Sequence, residues 1–233
     1  MAANKTGMLL RKAKYIQQRE GLPTLMRRAS LFFLRSIFDH QTYYIYENTS
    51  DGNTEAKPNV ANLTFRVIST LEELDELIAE DFNFYPYLNM HFDFDISEIK
   101  NRINQGATLF CTFVGKEIAS VLWLALTEEA KQEIDIVPYP IDFKAEACLG
   151  DGQTVPKYRR LGIYTYCVSQ ICQFAHNKRL KLRFTIPHGI IAIFKVHTHV
   201  GSNSLGEISY WKFLAWETWK EKPVRQNPRA VER

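Results

Sequence analysis

TVPKYRRLGIY, Thr154 to Tyr164, changes character halfway along. Its first half reads as the end of a strand stopped by Pro156, its second as a basic turn punctuated by Gly162. The turn opens directly into an apolar-periodic segment, Gly162 to His176, with Ile163, Cys167, Ile171 and Phe174 in helical register. A helix N-terminus leaves about four backbone N–H groups unpaired and carries roughly half a positive charge. Here those donors belong to Arg160, Leu161, Gly162, Ile163 and Tyr164, and the Arg159 and Arg160 side chains add charge beside them. Gly162 permits close backbone approach or a positive φ. The junction is either an anion cradle or simply a basic helix start.

The surrounding charge favours the cradle. Net charge is only +3, but from Gly152 to Gly206 there is no Asp or Glu. The same run holds Lys157, Arg159, Arg160, Lys178, Arg179, Lys181, Arg183 and Lys195, a charge of +8 before histidine. A field of one sign repels itself, which points to an anionic ligand, with a solvated basic face as the alternative. A nucleic-acid surface fits less well, because aromatic residues that could stack bases are sparse here.

With 233 residues the chain can build one full core and an appendage, but not two ordinary domains. Cys111, Cys148, Cys167 and Cys172 lie in apolar runs without metal-type spacing, so buried thiols, no metal and a reducing cytoplasm are expected. No apolar run is long enough for a membrane span, and the N-terminus lacks a signal-peptide pattern.

Residues 1–62 read as a basic helical extension and linker, 63–220 as the main domain, and 221–233 as a loose tail. Leu9 to Phe38 forms two helices broken at Gly21-Leu22-Pro23, with an apolar stripe that includes Leu25, Met26, Ala29 and Phe32. Seven basic residues against Glu20 give this segment +6. It can lie on an anionic membrane surface as a peripheral contact, or pack on the main domain. The short strand Tyr43–Glu47 that follows favours packing, and a polar linker then runs from Asn48 to Asn62.

From Thr64 the elements alternate. Strand Thr64–Ile68 leads to an acidic helix Leu71–Ala79 capped by Ser69 or Thr70, an aromatic connection Phe82–Phe94, and a helix Ile96–Ile103. Strands Thr108–Val114 and Ile118–Leu126 form a hairpin at Gly115-Lys116, followed by a polar connection with Pro138 and Pro140. Strand Ala145–Val155, the helix from Gly162, strand Leu182–Ile186, helix Ile190–Val200 and one long aromatic strand Leu205–Trp219 complete the domain. The fold class is α+β: a mixed sheet with helices on both faces, not a doubly wound dinucleotide fold.

The Val155–Tyr164 run resembles the coenzyme A signature of the GNAT superfamily of N-acetyltransferases. That signature is a strand ending in valine and proline, then Q/R-x-x-G-x-G/A at the mouth of a helix. Val155, Pro156, Arg159, Gly162 and Ile163 match it, and Tyr164 stands where Gly or Ala is commonest. The order of elements from Thr64 onward, about 155 residues, is similar to the GNAT fold as well. The resemblance implies acetyl-CoA or another acyl-CoA as co-substrate, with its pyrophosphate on residues 160–164 and its pantetheine along the strand ending at Val155. It also implies that the Val155 backbone N–H holds the thioester carbonyl and then the oxyanion.

An amine nucleophile must lose a proton and the coenzyme thiolate must gain one. Asp151, near the strand end, is the first candidate base, in a stretch where GNAT enzymes often carry an acid; it can equally be a turn aspartate. Glu146, further back on the strand and so deeper in the cleft, is the second. The GNAT pattern of a tyrosine four residues before Gly-Phe falls on His197, counted from Gly201 with Ser202 in place of Phe, as a candidate proton donor. His91 and Asp93 could shape the acceptor pocket. Cys148 has no adjacent histidine, which argues against a covalent acyl-enzyme. The expected activity is N-acyl transfer to a small amine in a ternary complex, and the Phe82–Phe94 aromatics suit amino sugars and aromatic amines alike. The alternative is a GNAT-like module that binds coenzyme or partner without turnover.

Overall fold

The computed structural model describes residues 38–49, 56–88, 95–214 and 216–223, with Leu22, Pro23, Met26 and Ser30 helical in the segment before them. In chain order the elements are β1 (Phe38–Asn48), β2 (Leu63–Ile68), α1 (Leu71–Ala79), α2 (Tyr85–Leu88), α3 (Ile96–Asn104), β3 (Ala107–Val114), β4 (Glu117–Ala125) and α4 (Glu128–Ile134). There follow β5 (Glu146–Thr154), a 3-10 turn Pro156–Tyr158, α5 (Ile163–Asn177), β6 (Lys181–Pro187), α6 (Ile191–His199), β7 (Asn203–Phe213) and β8 (Trp216–Pro223). The strands form one mixed sheet in the order β2-β3-β4-β5-β6-β1-β7-β8. Among these pairs only β5 and β6 run parallel.

Alternation along the central strands buries both faces. Leu109, Cys111 and Phe113 of β3, with Val121 and Trp123 of β4, pack against Leu74 of α1 and Ile99 and Ile103 of α3. Phe110, Leu122, Leu124, Leu149 and Phe184 point the other way, onto Cys167, Val168 and Ile171 of α5. Helices on both faces follow directly, as the periodicity predicts. All four cysteines are buried and free.

Local chemistry sets the helix starts. Thr70 and Glu73 close a reciprocal capping box on α1, and the Asp95 carboxylate accepts the Ser97 and Glu98 N–H groups at the start of α3.

Several expectations are corrected. The polar connection after β4 contains α4, whose first turn is capped by the Thr127 hydroxyl on the Ala130 N–H at 3.1 Å. The single long strand Leu205–Trp219 is two, β7 and β8, which reverse at Leu214 with φ 55° and pair Phe213 with Trp216. Phe38 is no helix residue but opens β1, opposite Phe213. β1 itself, longer than the expected Tyr43–Glu47, is an interior strand between β6 and β7. The remaining helical reading of Leu9–Phe38 lies outside the described residues, save for the four positions named, of which Leu22 and Met26 are exposed. Among the described residues no helix is long and apolar enough to cross a membrane.

The aromatic connection is corrected too. Phe82 and Phe84 pack edge-on against Phe113, and the fully buried Tyr87 accepts a hydrogen bond from Trp123 Nε1 at 3.2 Å. These rings are core, not a stacking surface for a ligand. His91 and Asp93 lie outside the described residues.

Candidate active site

A bulge in β5 creates the cleft. Val121 of β4 faces Gln153 and Trp123 faces Gly150, so Asp151 and Gly152 stand opposite Leu122 alone. Two residues against one bend the strand, and Asp151 takes φ 40° there. The parallel register with β6 runs from Glu146 opposite Lys181 to Leu149 opposite Phe184, and ends. Past that point a cavity of about 460 Å³ lies between Gly150–Gln153 of β5 and Thr185–Pro187 of β6. A second cavity of about 680 Å³ continues along Gly152–Thr154 to Arg159, Arg160 and the start of α5. The two arms share Gly152, Gln153, Tyr164, Ile190 and Ile193.

The second arm ends on the helix start picked out in the sequence. Gly162 is the N-cap residue of α5 with φ 76° and no side-chain cap. The helical ladder begins with Tyr166 N–H on the Gly162 carbonyl at 3.0 Å, so the N–H groups of Ile163, Tyr164 and Thr165 precede it. A Cβ at Gly162 would meet only Pro58, at 3.7 Å; conformation, not room, calls for glycine. Gly152 is the reverse case: a Cβ there would come within 3.0 Å of the Tyr164 hydroxyl and 3.1 Å of Leu122. Buried Ile163 anchors the turn, exposed Leu161 crosses it, and Arg159 Nε donates to the Thr154 carbonyl at 3.1 Å. Arg160 sits at φ 65°. Of the eight basic residues in the acid-free run, Lys157, Lys181 and Arg183 meet Glu117, Glu47 and Glu146 from outside it. Arg159 and Arg160 line the cleft.

Val155 does not match its expected role. Its N–H donates to the Ala119 carbonyl at 2.9 Å, so it points into the sheet. Backbone direction alternates along an antiparallel strand, and Val155 and Gln153 turn toward β4. Gly152 and Thr154 therefore turn theirs toward the splayed side.

The three candidate acid–base residues separate in space. Asp151 lines the first arm, but Arg102 Nη1 holds its Oδ2 at 2.6 Å, and Gln153 Nε2 donates to its Oδ1 at 3.3 Å. Arg102 in turn stacks 5.2 Å from the Trp123 ring. Glu146 is not deep in the cleft. It sits at the closed end of the β5–β6 pair, about 13 Å along the strand from Gly150 by strand rise, where Arg183 donates to it at 2.7 and 3.0 Å. His197 lines the cleft but is buried, with its ring 4.1 Å from that of Phe184. Burial pushes its pKa down to about 4, so the imidazole is neutral at pH 7. It is poorly placed to deliver a proton. Cys148 is likewise buried, its thiol pushed up to about 12 by burial and by Asp135.

One acidic residue in the cleft wall escaped the sequence reading. Asp135, the C-cap of α4, lines the first arm and accepts hydrogen bonds from the Val137 N–H, the Tyr139 hydroxyl and the Thr185 hydroxyl. Tyr43 of β1 joins the same wall. No local pattern marks either residue.

No protein-family model and no curated protein sequence matches the chain. Solved structures do. A GNAT-family acetyltransferase from Colwellia psychrerythraea is 16% identical over 76% of this chain and 57% of its own, with a TM-score of 0.47. A GCN5-related N-acetyltransferase from Sphaerobacter thermophilus is 10% identical over 80% of this chain and 56% of its own, at 0.47. A GCN5-related N-acetyltransferase-like protein from Streptococcus suis is 10% identical over 84% and 69%, at 0.49. The match spans less than two thirds of the length of the first two.

Proposed function

We propose that this protein is an acyl-coenzyme A-dependent N-acyltransferase that works by direct attack of an amine in a ternary complex. The observation that carries the proposal is the two-armed cleft, which opens where two parallel strands part and ends at an uncapped helix N-terminus beside Arg159 and Arg160. Such a site suits a long ligand with a diphosphate at one end and an amide-bearing arm at the other. The diphosphate would take the N–H groups of residues 163–165 and the two arginines. The amide arm would lie along the splayed edge of β5, exchanging hydrogen bonds with Gly152 and Thr154 as an added strand. An N–H from this edge, in place of Val155, would meet the thioester oxygen. One such donor contributes on the order of 3 kcal/mol to transition-state stabilisation. Tyr164, the hydroxyl-bearing residue that lines both arms, would be the O–H donor for the departing thiolate.

A coenzyme-binding module without turnover is the second reading. The engagement of Asp151 by Arg102, of Glu146 by Arg183, and the neutrality of His197 favour it. The two separate on one experiment: calorimetric titration with coenzyme A, followed by thiol release from acetyl-coenzyme A with a panel of primary amines. Acyl transfer predicts binding and amine-dependent release. Binding without release by any amine leaves the module, and no binding removes both.

A further inference from the structure

The Asp135 carboxylate is enclosed in a way that the coenzyme does not explain. Only 8% of the residue is exposed, yet it faces a cavity of about 460 Å³ in the first arm, away from the arginines of the second. The end of α4 is pressed onto the β5 bulge: a Cβ at Gly150 would lie 2.6 Å from the Ile134 carbonyl oxygen. Asp135 Oδ1 accepts the Val137 N–H at 2.9 Å, and Oδ2 accepts the Tyr139 and Thr185 hydroxyls at 3.1 and 3.0 Å. The Cys148 thiol stands 4.0 Å from Oδ2. All of these donors are neutral. Lys131, one turn earlier on α4, points its Nζ at the Val137 carbonyl, 2.8 Å away. Tyr43 of β1 completes the surroundings. Its hydrogen bonds come only from neutral donors, and the Lys131 ammonium acts on it through space alone, so a nearly buried carboxylate at the wall of an open cavity can still take a cation on the cavity side.

The rest of the wall limits what that cation belongs to. Ile134, Ile136, Ile186, Pro187 and Ile190 line it, and Ile136 stands 71% exposed at the rim. Arg102, a cation near this arm that could have received a carboxylate, is engaged by Asp151.

We propose that Asp135 receives the ammonium group of the acyl acceptor and takes its proton, and that the acceptor is a primary amine on an apolar or aromatic body with no carboxylate beside the nitrogen. This rests on the acyl-transfer reading above. The ammonium gives one proton to Asp135, and the neutral nitrogen forms its bond to the thioester carbon of acyl-coenzyme A. Collapse of the tetrahedral adduct breaks the C–S bond; Tyr164 gives its proton to the departing thiolate and takes up the second N–H proton in its place. The proton on Asp135 then leaves to solvent at the rim. Burial raises the Asp135 pKa above the usual carboxylate range, although Val137, Thr185, Tyr139 and Lys131 oppose that rise, and a more basic carboxylate is a better proton acceptor.

The test uses the full chain with coenzyme A bound, phenethylamine and hexylamine as probes, and phenylalanine as the carboxylate-bearing control. Calorimetry reads amine binding; thiol release from acetyl-coenzyme A reads turnover. Asp135→Asn should weaken both amines at least tenfold and lower kcat/KM about a hundredfold, with coenzyme A affinity unchanged. The loss should shrink as pH rises and the free amine becomes neutral. Thr185→Val, which removes a donor to the carboxylate, should move the acid limb of the kcat/KM profile to higher pH by about half a unit, and carries the test if the Asn variant does not fold. Amine binding through Asp135 without thiol release would end the acyl-transfer reading and leave the amine site standing. Wild-type turnover in Asp135→Asn, an unmoved limb in Thr185→Val, phenylalanine accepted as well as phenethylamine, or no amine bound by the wild type would each overturn the proposal.

Discussion

A single imidazole shows how burial alone can change what a residue does. His197 stands on α6 against Phe184, with the Tyr164 ring 6.4 Å away, and its pKa is pushed down to about 4 by desolvation. In the unfolded chain it would titrate near 6.5. Between those values the unfolded state binds more protons, so the folded state loses stability as pH falls from about 6.5 through about 4. At pH 4.5 the loss from this one group is on the order of 2 kcal/mol relative to pH 7.5. His197→Leu should remove that part of the acid sensitivity, visible as a smaller drop in urea midpoint between the two pH values. Equal drops in both proteins would show that the ring is solvated in the folded state. The histidine could be located from its spacing to Gly201, but its protonation could not, because that depends on rings contributed by α5 and β6.

At the scale of elements, the start of α5 is the most explicit feature of the chain. Its glycine is needed for conformation and its arginines for charge, and the two can be tested apart. Gly162→Ala has room for the methyl group but must hold φ near 76°, at a cost of about 1 kcal/mol in stability. Arg160→Glu should leave the melt nearly unchanged and weaken coenzyme A at least tenfold, since it sets a carboxylate beside a diphosphate. Calorimetry and thermal melts of both variants check this; full affinity in Arg160→Glu would take the diphosphate away from this turn. Other elements were harder to read. α4 has only seven residues and ends before Pro138 and Pro140, so its Thr127 cap was hidden inside a polar stretch. The β7–β8 reversal lies between the paired Phe213 and Trp216, where the sequence has none of the Gly, Asn or Asp that usually mark such a turn.

Across the whole molecule, β1 ties the N-terminal part of the chain to the middle of the sheet. It pairs with β6 on one side and β7 on the other, buries Tyr43 and Tyr46, and brings Glu47 to Arg183 at 3.1 Å. Removing residues 1–48 would leave β6 and β7 without a common neighbour and uncover the Phe184 and Trp219 rings on which Tyr46 and Tyr43 pack. That truncation should abolish cooperative melting by circular dichroism. An unaltered melt after loss of residues 1–48 would mean that the sheet holds without its interior strand.

Most strands and helices from Leu63 to Asn177, and the helix start at Gly162, were determined by sequence, because alternation, capping and turn chemistry act over a few residues. The place of β1 in the sheet was decided only by folding, since its partners lie at the far end of the chain. So was the role open to each carboxylate. Arg102 claims Asp151 across 49 residues, Arg183 claims Glu146 across 37, and Thr185 reaches Asp135 across 50. Contacts between residues so far apart leave no periodic trace, and only the packed sheet shows which carboxylate is left facing the cleft.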